Sequence, residues 1–229
     1  MVDLNLLCSK LQDIFIEIKK CGVNNVIDLI LKGGVAMYPI ILCSIVVLAV
    51  VLERLWVLRR NRVIPGEFIQ NLENLISQKK IPEAVFLCQG NHSSIARVIF
   101  AGLKNAGKGL WLVKESIEER GIREAFILEK RVAILSTIAT LGPLLGLFGT
   151  VSGVIKSFNA ISIHGSNDPM LLAGGIAEAL VATASGLAVA IPALICHRFL
   201  KDKANALIFE MEEYSIKIVE LLGSNTLTD

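Results

Sequence analysis

The stretch GGVAMYPIILCSIVVLAVVL, residues 33–52, runs without a single charge. VAILSTIATLGPLLGLFGTVSGVI (132–155) does the same, and a third run, from about Pro169 to Cys196, contains GGIAEALVATASGLAVAIPA (174–193) with one carboxylate, Glu178. About 20 mostly apolar residues suffice for a helix to cross a bilayer. In lipid the backbone must bond to itself, so stretches of this kind are confined to helix. With 53% hydrophobic and 19% charged residues, the 229-residue chain is also too apolar for an ordinary soluble domain. The fold class read from these features is an all-α membrane protein with three transmembrane helices.

Orientation follows from the distribution of Lys and Arg, which favour the cytoplasmic side. NAISIHGSNDPM, between the second and third spans, has neither, whereas Arg59, Arg60 and Arg62 follow the first span and HRFLKDK ends the third. The predicted layout is an outer or interfacial amphipathic helix over 1–32, the first span over 33–57 and a cytoplasmic helical region over 58–131. The second span then covers 132–159, an outer loop 160–169, the third span 170–198 and a cytoplasmic helix 199–229. Leu4, Leu7, Leu11, Ile14, Phe15 and Ile18 recur at three and four residues, which sets the amphipathic character of the first segment. No cleavable signal peptide is read there. Pro65 and Pro82 suit first helical turns, and Gly90-Asn91, Asn105 to Gly109 and Gly121 are read as breaks. The second and third spans continue at helical spacing into long cytoplasmic extensions, whose apolar stripes are best buried in an oligomer.

Several function classes drop out. A formal net charge of +2, with no basic cluster interleaved with aromatics, argues against nucleic acid. Cys8, Cys21, Cys43, Cys88 and Cys196 are scattered singly and read as small buried hydrophobes. His92, His164 and His197 fall in three regions and form no metal-ligand set. GLKNAGKGL lacks the strand and spacing of a phosphate loop. The sequence carries no catalytic constellation, cofactor motif or metal site.

At 100° per residue, Gly142, Gly146, Gly149 and Gly153 make one stripe on the second span, a surface that lets another helix backbone approach closely. Pro143 lies beside it. Ser136, Thr140, Thr150 and Ser157 form a neighbouring hydroxyl face, which could line a wet path or bond its own helix backbone. On the third span Glu178 shares a face with Gly174, Ala182, Ser185, Val189 and Cys196, opposite Leu180, Leu187, Ile191 and Leu194. An unpaired acid at such depth costs at least about 2–3 kcal/mol, so Glu178 is functional or paired. Pro192 is expected to kink the third span. Lys156 is read as snorkelling to the surface, in preference to a role as gate or as partner to Glu178.

PLLGLFGTVSGVIKSF (143–158) and GGIAEALVATASGLAVAIPALI (174–195), in that order and separated by a short loop, resemble the MotA/TolQ/ExbB family of ion-driven membrane motor proteins, and the ExbB/TolQ branch most. ERLWVL after the first span fits as well, so the resemblance covers the chain from about residue 33. It implies a homopentameric ring around single-span helices of an ExbD- or TolR-like partner whose Asp takes and releases protons. It also implies an inner-membrane location with the N-terminus periplasmic and the C-terminus cytoplasmic. The output would be TonB-dependent transport through a TonB-like protein, or envelope maintenance in the TolQ case. A scaffold without ion coupling is the other reading. Thr150 and Thr183 are the motif threonines that would line the lumen, and Glu178, the motif acid, would sit between helices or at the lumen's edge. Ser152, Lys156 and CHRF (196–199) depart from the family pattern.

Overall fold

The computed structural model describes residues 33–164 and 169–226. The amphipathic helix expected over 1–32 lies outside the described residues, as do Cys8 and Cys21. The described residues are helical: α1 (Met37–Val57), α2 (Arg60–Val63), α3 (Gly66–Ser77), α4 (Ile81–Gln89), α5 (Ser94–Leu103), a 3-10 turn (Ala106–Lys108), α6 (Leu110–Lys130), α7 (Val132–His164) and α8 (Pro169–Thr226). Three helical stretches are long and apolar enough to cross a membrane by length and composition: Met37–Val57, which is α1, Leu110–Ser162, which takes in α6 and most of α7, and Leu172–Ser224, which is nearly all of α8.

The chain divides into two compact units. One holds the described residues up to Ala49 together with Leu135–Cys196; the other holds Val50–Ile134 and the chain from His197 onward. Proline falls inside both long helices, Pro143 in α7 and Pro192 in α8. The large apolar side chains exposed on the first span are Tyr38, Leu42, Ile45, Leu48, Leu52 and Trp56, spaced by three or four residues. That spacing draws them into one apolar stripe along α1, as a surface in contact with lipid requires.

In the second unit short helices pack in sequence, α3 on α4, α4 on α5 and α5 on α6. Leu72, Ile76, Ile95, Ile99 and Ile218 are fully buried there. Pro65 caps α3 and Pro82 lies in the first turn of α4, where a missing N–H leaves no intrahelical bond unmade. Ser93 caps α5, its Oγ accepting from the Ala96 N–H at 3.3 Å. A Cβ on Gly102 would lie 2.5 Å from the Ile117 side chain, so α5 abuts α6 closely. Gly109 opens α6 with φ 112°, which glycine supplies without strain.

Gly121 corrects the sequence reading: it lies inside α6 and is no break. A mid-helix glycine costs only about 1 kcal/mol, which the surrounding packing outweighs. The division between α6 and α7 is a single residue, Arg131, still close to helical geometry at φ −82° and ψ −20°. α7 runs on to His164, so part of the expected loop is helical.

Cys88 is buried, and burial pushes its thiol up to about 12. Its thiolate is therefore essentially absent at pH 8. Maleimide labelling of the native protein in detergent is expected to be roughly a hundredfold slower at Cys88 than after unfolding. Equal rates would show that α4 opens readily.

Candidate functional site

The candidate site is built where α7 and the first half of α8 lie against each other. A Cβ on Gly142 would come within 2.9 Å of both the Gly186 carbonyl and the Ala190 methyl. On Gly146 it would lie 3.0 Å from the Thr183 Cα, and on Gly153 it would lie 2.7 Å from the Gly175 carbonyl. On Gly149 it would overlap the Ala182 methyl and approach that of Ala36 at 3.1 Å. The four glycines thus let two backbones meet with almost no side chain between them, the arrangement by which helices associate without a hydrophobic driving force.

α8 answers with its own small residues. Ala179, Ala182, Gly186, Ala190 and Ala193 are all buried. A Cβ on Gly186 would stand 2.5 Å from the Gly142 carbonyl and 3.1 Å from the Gly146 Cα. Gly186 is missing from the sequence reading, although its signal was available: Ala182, Gly186 and Ala190 recur every four residues. Gly34 was missed as well.

The hydroxyls divide into two kinds. Thr183 Oγ1 donates across the seam to the Gly146 carbonyl at 3.2 Å, which the bare glycine backbone leaves accessible. Thr150 Oγ1 donates to its own helix, to the Leu147 carbonyl at 2.7 Å. Thr140 bonds the Ser136 carbonyl at 3.1 Å, and Ser157 bonds the Gly153 carbonyl at 3.1 Å and the Leu172 carbonyl at 3.4 Å. Gly146 and Thr150 lie one turn apart on α7, so the Thr183 hydroxyl is anchored one turn from Thr150. A hydroxyl that gives its hydrogen to a carbonyl still offers its oxygen as an acceptor. Thr150 and Thr183 can therefore receive a hydrogen bond from water or from a protonated carboxyl.

Glu178 has different company. Lys156 Nζ donates to its Oε1 at 2.5 Å, joining α7 to α8, with the Lys side chain 48% and the Glu side chain 20% accessible. The expectation that Lys156 merely snorkels is corrected: it is the partner of Glu178. The physical reason is that two opposite charges near one end of adjacent antiparallel helices neutralise each other more cheaply than either is solvated in lipid. The carboxylate also occupies the space where a side chain on Gly34 would begin. Gly34 has φ 65°, in the left-handed region, and its carbonyl accepts from the Met37 N–H at 3.2 Å. Glu178 and Thr183 thus face different neighbours, as five residues at 100° each place them 140° apart around α8.

A second charged cluster lies in the other unit. The Glu124 side chain is fully buried and receives Arg97 Nε at 2.9 Å and Nη2 at 2.5 Å, with Arg120 Nη2 at 2.9 Å. Burial by itself would push this carboxyl up; the hydrogen bonds and charge of Arg97, with help from Arg120, win and hold it below the usual carboxylate range. Arg97 also bonds the His92 carbonyl at 2.8 Å, pinning the start of α5. Nothing in the run EERGIREAF marks this cluster, since it has the composition of a solvated helix face.

The family described as the MotA/TolQ/ExbB proton channel family matches over residues 91–213. An ExbB-like biopolymer transport protein of Synechocystis sp. is 35% identical over 182 residues, covering 76% of this chain and 70% of that protein. The Tol-Pal system protein TolQ of Haemophilus influenzae is 46% identical over 85 residues, 37% of each chain. The biopolymer transport protein ExbB of Pseudomonas putida is 28% identical over 211 residues, 84% of this chain and 62% of that one.

Proposed function

Because the chain belongs to the MotA/TolQ/ExbB proton channel family, we propose that it is an ExbB-like inner-membrane subunit of a motor driven by the proton-motive force. In this reading several copies, five by resemblance, surround single-span helices of an ExbD-like partner. Proton passage turns or shifts that partner, and the complex energises TonB-dependent transport across the outer membrane. The N-terminus is periplasmic and the C-terminus cytoplasmic. The observation that carries the reading is the α7–α8 seam, where Thr183 is fixed on the glycine stripe one turn from Thr150.

Two threonine oxygens held in this way can accept from a carboxyl that has just taken a proton, and they resist reorientation because their own hydrogens are engaged. Valine has nearly the same shape and no oxygen. Thr150→Val and Thr183→Val should therefore leave the complex assembled while reducing TonB-dependent uptake by about 10-fold or more, the loss of a positioned acceptor on a proton path. Unchanged uptake in both variants would remove the threonines from the path. A TolQ-like role is favoured by the TolQ match over 85 residues. A deletion strain decides between the two: loss of TonB-dependent uptake supports the ExbB-like role, and a weakened envelope with intact uptake supports the other.

A further inference from the structure

We propose that Lys156 and Glu178 form a fixed electrostatic clasp between the second and third spans, closed against the Gly34 turn, and that Glu178 in this chain is a holding group and not a proton carrier. The statement about proton carriage rests on the motor reading above; the clasp itself does not.

Three contacts define it. Lys156 on α7 and Glu178 on α8 are joined at 2.5 Å. On another side the carboxylate lies against Gly34, whose missing side chain makes the seat. Gly34 is three residues ahead of α1 in a turn closed by its own carbonyl on the Met37 N–H. The opening turns of a helix carry partial positive charge, so this seat favours a carboxylate for the same reason the ammonium does. All three elements belong to one compact unit of the fold.

A proton delivered to Glu178 would abolish the attraction and leave the Lys156 ammonium bare among Val154, Ile155 and Phe158, which are exposed on the same helix end. Carrying protons one at a time would repeat that penalty at every step. The threonines, by contrast, are bonded to the Leu147 and Gly146 carbonyls and to neither member of the pair. The geometry therefore assigns proton handling and holding to different residues.

The test is a charge cycle in the full-length chain with its partner: Lys156→Met, Glu178→Gln, the double variant and Lys156→Arg. Thermal melting of the purified protein in detergent and proton-motive-force-dependent activity in cells are both read. Each neutral single variant should lose roughly tenfold or more in folded yield and activity, because it strands one charge in the membrane. The double variant should recover most of both, and Lys156→Arg should stay near the parent. If the two single losses simply add in the double variant, there is no clasp. If the double variant melts like the parent yet is inactive, the clasp stands and the claim that Glu178 only holds the helices is wrong. A parent chain inactive in the energised assay overturns the motor reading, and the melting cycle still decides the clasp.

Discussion

Replacing Gly186 with valine is expected to strip folded protein from the membrane. Its first side-chain atom alone would sit 2.5 Å from the Gly142 carbonyl and 3.1 Å from the Gly146 Cα. Both are backbone atoms, so no rotamer change can make room, and the two spans must separate. Overpacking typically costs up to about 3 kcal/mol, and this site belongs at the upper end because the obstacle is main chain. Separation would also break the bond from Thr183 to Gly146. Gly174 supplies the control, since a side chain there meets nothing within 4 Å. Gly174→Ala should melt like the parent protein in detergent, whereas Gly186→Val should show sharply reduced membrane yield and melting temperature. A Gly186 variant that melts with the parent would mean the spans do not meet as described.

The second large effect is expected at Arg97. Removing one partner of a buried ion pair costs about 3–5 kcal/mol, because the other charge stays behind without its compensation. Arg97→Met leaves Glu124 fully buried with Arg120 and the Ser94 hydroxyl facing it, so a loss of about 3 kcal/mol follows. The pH dependence gives a sharper signature. In the parent chain the Glu124 carboxyl is held low, so its contribution is complete above about pH 5 and is lost as pH falls through the depressed folded value. Without Arg97, desolvation dominates and pushes the carboxyl up. The variant should then gain stability on mild acidification, where the parent does not. Melting curves between pH 7 and pH 4 distinguish the two, and parallel curves would show that Arg97 does not control Glu124.

The difference between Gly186 and Arg97 also explains what could be read in advance. The spans were legible because uncharged runs of twenty or more residues have few alternatives to a membrane helix. The stripe from Gly142 to Gly153 was legible because spacing of three and four residues is a property of one helix alone. Gly186 has the same spacing with alanines, and alanine is so common in helices that the pattern stands out less. Contacts between elements were not legible. A wheel of one helix leaves pairing with Glu178 as only one of three readings of Lys156, and the antiparallel placement of α7 and α8 is what selects it. Glu124 lies 27 residues from Arg97, and its neighbours Glu118, Glu119, Arg120 and Arg123 suggest a wet surface. Gly121 misled because a glycine within a well-packed helix is cheap enough to tolerate.

The exposed stripe of α1 has a consequence for where this protein can reside. Tyr38 and Trp56, 73% and 53% exposed, mark its two ends. Aromatic rings with a polar handle prefer the headgroup level on either side of a bilayer. Their separation along α1 is roughly 27 Å at 1.5 Å per residue, slightly less than the average hydrocarbon thickness of about 30 Å. Arg62 stacks over the Trp56 ring at 3.4 Å and fixes one of these anchors. The first span is thus long enough to cross such a bilayer with little tilt. In a thicker one the lipid would have to compress around it, so changes in acyl-chain length would act directly on this helix.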